Sequence, residues 1–154
     1  ERRLRALVGR VPGSAVELWA DVALATGCVL AAVAIERALG GGDARHAEAV
    51  RAMLPRSGVE HAAWALVAVS VGVGEELVYR GYLMRQFAAW TGRAGAGLVL
   101  QAALFGVAHL EQGPGAAVRV GILGALLGLI ALGRGSLVPA ILAHVAIDLA
   151  AGFA

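Results

Sequence analysis

The feature that most constrains this chain is its succession of long apolar runs, each closed by a short turn rich in glycine, arginine or proline. The runs cover Val16 to Ile35, Val59 to Trp90, Ala94 to Leu110, Ala116 to Leu132, and Ser136 to the end. At 1.5 Å rise per residue, about 20 such residues cross a hydrocarbon core of about 30 Å. A bilayer offers the backbone no hydrogen-bonding partners, so each crossing segment must satisfy its own amides as a helix. The expected fold is therefore all-α: a polytopic transmembrane helix bundle with about five spans. Composition agrees, since 59% of the residues are hydrophobic and 16% charged, against roughly 45–50% and 25% in soluble domains. All 13 basic residues are arginines lying mostly between the runs, as membrane-edge charges do, and they do not form a nucleic-acid surface.

The ends of the runs add detail. Arg2, Arg3, Arg5 and Arg10 precede the first run, but no small-residue cleavage site follows it, so a span is favoured over a signal peptide. After Gly40-Gly41-Gly42, Asp43 can cap a short helix whose Ala47, Val50, Met53 and Leu54 share one face before Pro55. That pattern predicts an interfacial amphipathic helix. The expected division is residues 1–58, an N-terminal span with the interfacial segment, and residues 59–154, a helical core within one membrane domain. The chain starts at Glu1 without methionine, as expected of a fragment or processed piece of a longer protein, with the number of upstream spans left open. Arginines before the first run, at Arg85 and Arg93, and at Arg134 share one expected face of the membrane. Gly121, Gly124, Ala125 and Gly128 form a small-residue seam that admits another helix closely.

Seven ionisable side chains sit inside or at the edges of these runs: Glu75, Glu76, Arg80, His109, Arg119, His144 and Asp148. A charge at the centre of a membrane helix costs about 2.5–3.5 kcal/mol, so each needs a partner or a purpose. Glu76 and Arg80 stand four apart on one helix face and suit an ion pair; Glu75 lies about 100° round the axis and is left over. His144 and Asp148 also stand four apart, so the carboxylate can orient the imidazole or share an ion with it. If the helices flanking Gly92 pair antiparallel, reflection through the turn sets Glu76 opposite His109, each about 25 Å from the turn. His144 and Asp148 lie about 15 and 21 Å from the turn at Arg134. Carboxylates and imidazoles at similar depth can activate water for attack on a carbonyl by two routes. In one a glutamate is the general base. In the other Glu75, His109, His144 and Asp148 supply ligands for Zn²⁺ with an open position for water. Arg119, His46 and His61 are expected at the interface, and Trp19 and Trp90 in the aromatic belt.

Three patterns occur in order on separate runs. Glu75 to Arg80 reads E-E-x-x-x-R, Phe105 to His109 reads F-x-x-x-H, and His144 to Asp148 reads H-x-x-x-N/D. Together with Gly135-Ser136-Leu137-Val138-Pro139-Ala140-Ile141-Leu142-Ala143-His144, they resemble the CPBP intramembrane proteases. That family includes the type II CAAX prenyl proteases and the bacterial lysostaphin-resistance and bacteriocin-processing relatives. The resemblance covers about half the chain, from Gly72 to Ala150. It implies that Glu75 and His109 activate the hydrolytic water, that His144 and Asp148 bind a metal or stabilise the oxyanion, and that Glu76 and Arg80 support the site. Asp148 departs from the asparagine of the best-known members.

The function expected is an intramembrane endopeptidase acting on a peptide or protein substrate in or at the lipid bilayer, with Zn²⁺ as the candidate cofactor. A lysine-free chain rich in arginine and alanine suggests a bacterial cell membrane, where prenylated substrates are not expected. The alternative is a non-catalytic membrane protein, a bacteriocin-immunity or partner-binding factor, that uses the polar cluster for packing. A proton-coupled transporter is a third reading, but the inverted repeats or broken helices that transport predicts are not evident in the sequence.

Overall fold

The computed structural model describes residues 6–40, 48 and 51–153. The bundle is helical throughout these residues apart from turns and one isolated bridge between Gly9 and Ser136. Helix α1 is Ala15–Leu39, α2 is Gly58–Glu76, α3 is Met84–Thr91, α4 is Ala94–Ala108, α5 is Pro114–Arg134 and α6 is Val138–Phe153. A π-helical stretch, Leu77–Leu83, joins α2 to α3, so that Gly58–Thr91 is one continuous rod of 34 residues. Among the described residues, three helical rods are long and apolar enough to cross a membrane, namely α1, Gly58–Thr91 and α5; α4 and α6 are shorter and apolar. The all-α membrane bundle is thus observed. Of the expected interfacial helix, Asp43, Ala47 and Val50 lie outside the described residues, while residues 51–53 are helical and Met53 is exposed.

Local chemistry sets the ends. Ser57 and Glu60 form a capping box at the start of α2, the Ser57 hydroxyl accepting from the Glu60 amide and the Glu60 carboxylate from the Ser57 amide. The Ser14 hydroxyl caps α1 by accepting from the Glu17 amide, while the Glu17 carboxylate accepts from the Gly13 amide. Pro114 opens α5, where its missing N–H costs nothing. Gly92 and Gly135 end α3 and α5 in the left-handed region, at φ 69° and 61°, which favours glycine.

Packing determines where a site can form. The α4 helix lies between α3 and α5, whereas α2 packs on α6, and α6 also packs on α1. The long rod therefore changes partners along its length. At the α2–α6 crossing the backbones nearly touch: a Cβ at Gly72 would stand 2.7 Å from Val145 Cγ2 and 3.1 Å from the Val145 amide nitrogen. Ala25, Cys28, Leu127, Ala140 and Ala143 form the apolar core where α1, α5 and α6 meet. Residues ahead of α1 dock at one end: Val8 accepts from the Leu137 amide at 2.8 Å, Arg10 donates to the Gly135 carbonyl at 2.9 Å, and the Arg85 guanidinium caps the Ala6 and Leu7 carbonyls. The N-terminal segment, Arg85 and the Arg134 turn thus share one end, as the alternation of turns along the chain predicts.

Candidate active site

Glu75 and Glu76 close α2 just before the π-helical stretch, a local widening of the helix often found at functional positions. Glu76 points into the bundle and is fully buried. Its Oε1 accepts from Arg80 Nη1 at 2.6 Å and from His144 Nδ1 at 2.8 Å. Arg80 is buried as completely, and its Nη2 donates to the Gly124 carbonyl of α5 at 3.2 Å. The guanidinium carbon lies 4.3 Å from the centroid of the Phe105 ring, which supplies a cation–π contact in a site without water contact. A single carboxylate oxygen thus joins the arginine of its own helix to the histidine of α6.

The consequence for His144 is chemical. A carboxylate can only accept, so Nδ1 carries the hydrogen and Nε2 is the ring's working nitrogen. Two further carboxylates face that nitrogen, Glu75 Oε2 and Asp148 Oδ2, each at 3.7 Å. Their side chains are 30% and 29% exposed, against 7% for His144, so the cluster opens toward its exterior on the carboxylate side. His109 caps the end of α4 with its Nδ1 2.8 Å from the Phe105 carbonyl, which leaves Nε2 unused. The Phe105 ring links the two histidines, 4.8 Å from the His109 ring and 5.9 Å from that of His144. Trp64 on α2 donates its indole N–H to the Asp148 carbonyl at 2.8 Å, and its ring occupies the space over Gly152.

Two expectations change. Glu76 faces His144 on α6 instead of His109 on α4, because the α2 half of the rod has left α4 by that depth and packs on α6. The hydrogen bond that orients His144 comes from Glu76, and Asp148 stands on the opposite side of the ring. Glu75, Glu76, Arg80, His144 and Asp148 are brought into one cluster, with His109 joined to it through Phe105. Arg119 lies apart, paired with Glu36 at 2.7 Å, and His61 sits exposed at the start of α2. Among the described residues no group of three or more His, Cys, Asp and Glu side chains is placed at metal-ligand distances.

Sequence reasoning missed Gln101. It is fully buried on α4, and its Nε2 donates at 3.0 Å to the same Gly124 carbonyl that holds Arg80. Its signal was available, since Gln101 is the one polar side chain in Ala94–Ala108. The glycine seam of α5 also has a sharper purpose than helix contact. A Cβ at Gly124 would lie 2.9 Å from Phe105 and 3.2 Å from Arg80 Nη2, and one at Gly128 would lie 2.7 Å from Gln101 Nε2. Without side chains there, two long polar residues can reach the helix backbone.

Fold and site together define the class: a multi-pass integral membrane protein with a polar, carboxylate- and histidine-lined site enclosed by its helices. The chain belongs to the Rce1-like family of type II CAAX prenyl endopeptidases, whose family model matches residues 58–150. That range runs from the first residue of α2 nearly to the end of α6 and contains every member of the cluster. Neither a curated protein nor a solved structure matches the chain.

Proposed function

We propose that the chain is an intramembrane endopeptidase that hydrolyses a peptide bond of a membrane-associated substrate, with water activated by Glu75 and His109. The observation that carries the reading is Glu75: a partly exposed carboxylate beside an imidazole whose other nitrogen is already committed to Glu76. Glu75 takes a proton from water as the oxygen attacks the carbonyl carbon, His109 Nε2, the acceptor nitrogen of a ring whose Nδ1–H is held by the Phe105 carbonyl, orients that water, and the C–N bond breaks as Glu75 passes the proton on to the leaving nitrogen. His144, held by Glu76, donates from Nε2 to the oxyanion when its ring carries both protons. Asp148 faces that nitrogen and balances the charge. Glu76 and Arg80 touch no substrate; they hold His144 in place. Family membership supports the reaction class, and the lysine-free composition supports a bacterial cell membrane as its location.

The test is Glu75→Gln in detergent, assayed on a quenched fluorogenic peptide ending in a prenylated Cys-aliphatic-aliphatic-X sequence and on its unprenylated counterpart. The amide cannot accept the proton, so hydrolysis falls by about 10²–10⁴ while helicity is unchanged. Near-normal turnover in the glutamine variant would sink the assignment of the base. A parent protein that cleaves neither peptide, nor any in a digest of membrane proteins, would favour the non-catalytic alternative.

A further inference from the structure

We propose that Gln101 is a positioning residue for His144, acting through the Gly124 carbonyl, Arg80 and Glu76. Its name as a positioning residue rests on the catalytic reading of His144 given above. Gln101 Nε2 and Arg80 Nη2 donate to the same oxygen, at 3.0 and 3.2 Å. Both come from elements other than α5, Gln101 from α4 and Arg80 from the π-helical stretch, so one carbonyl registers three pieces of the bundle. From there Arg80 Nη1 holds Glu76 Oε1, and the same oxygen holds His144 Nδ1. The amide is the far end of an unbroken line of hydrogen bonds that finishes on the imidazole.

Packing alone does not account for a glutamine here. The side chain is wholly buried, and its Oε1 has no partner, an expense that methionine of the same shape would not carry. Among the described residues two other buried polar side-chain atoms lack partners, Arg80 Nε and Glu76 Oε2, and both belong to members of the same line. The unpartnered Glu76 Oε2 gives the guanidinium another acceptor to swing toward. Gln101 occupies the second approach to the Gly124 oxygen and leaves Arg80 one way to sit, with Phe105 closing the face of the guanidinium.

The experiment uses full-length protein with ¹⁵N-labelled histidine in detergent micelles. The Nδ1–H resonance of His144 is identified by its loss in His144→Gln. In the parent it is hydrogen-bonded and exchanges slowly. In Gln101→Met its exchange with water quickens by roughly tenfold, as loss of an outer-shell partner does, while the thermal midpoint stays level or rises because the unpartnered oxygen has gone. On the prenylated peptide kcat falls by a similar factor with KM unchanged. Gln101→Asn, one methylene too short to reach Gly124, behaves like Gln101→Met and serves if the methionine variant fails to fold. An unchanged His144 resonance in a folded variant overturns the proposal, and so does failure of both variants to fold, which would make Gln101 a prop of the bundle alone. The resonance requires no turnover, so an inactive parent protein would refute the proposed reaction and leave this inference standing.

Discussion

Arg80→Leu is the most informative single change, because the structure shows what it would strand. Glu76 would keep one partner, His144 Nδ1 at 2.8 Å, while its Oε2 already has none. Both side chains of the pair are 0% exposed, so water cannot replace the guanidinium. Removing one member of such a pair costs about 3–5 kcal/mol, and loss of the contact with Phe105, worth about 2 kcal/mol when dry, sets the expectation at the upper end. For a chain of this size about 2–4 °C in Tm accompanies each kcal/mol, so the midpoint should drop by about 10–20 °C. Tryptophan fluorescence during a detergent melt, checked by size-exclusion elution after heating, measures it. Adding Glu76→Gln removes the stranded charge yet retains an oxygen that accepts from His144, so the double variant should recover roughly half the loss. A single variant within about 4 °C of the parent, or a double variant less stable than the single, would refute the argument.

Other outcomes follow from neighbouring contacts. Asp148→Asn should lower peptide hydrolysis by about 10–100-fold through loss of the charge facing His144 Nε2; activity equal to or above the parent would mean the side chain acts as a donor. Gly124→Ala should lose about 1–3 kcal/mol, since its methyl would press on Phe105 and Arg80, whereas Gly133→Ala, which meets open space, should be neutral or gain up to about 1 kcal/mol. Chemical denaturation followed by helical circular dichroism separates the two, and equal losses would contradict the packing at Gly124. Cys28, 4% exposed in the core between α1, α5 and α6, should resist maleimide in the folded protein and react on unfolding; rapid labelling in the native state would show that α1 does not sit as described.

The bundle and its turns were legible because apolar length and left-handed glycines are local properties. The Glu76–Arg80 pair was legible for the same reason: spacing of four within one helix needs no knowledge of neighbours. What sequence could not supply was the partner of each face. Antiparallel reflection about Gly92 assumes one neighbour along the whole rod, and that holds for α3 against α4 but fails for α2, which lies on α6. His109 was consequently set opposite Glu76, and His144 went unrecognised as the recipient of the buried carboxylate. Gln101 was overlooked because it bears no charge, although a buried amide in an apolar helix demands a partner as surely as an ion does. Phe105 stood in the sequence as one letter of a pattern; only the packed structure reveals it as the aromatic surface shared by Arg80, His109 and His144.

The near-contact of Gly72 with Val145 makes that crossing a fulcrum. Transmembrane helices answer a thicker or thinner bilayer by changing their tilt, and two rods whose backbones come nearest at one crossing rotate about it. His144 is the residue next to the fulcrum on α6, and Glu76 lies only about 6 Å beyond it on the other rod. A 10° change in crossing angle moves Glu76 by about 1 Å, whereas Thr91, about 28 Å away, sweeps about 5 Å. The groups that must keep hydrogen-bonding distance therefore occupy the part of the bundle with the least leverage. The same hinge-point placement lets the helix ends follow the lipid while the buried carboxylate and imidazole stay in register.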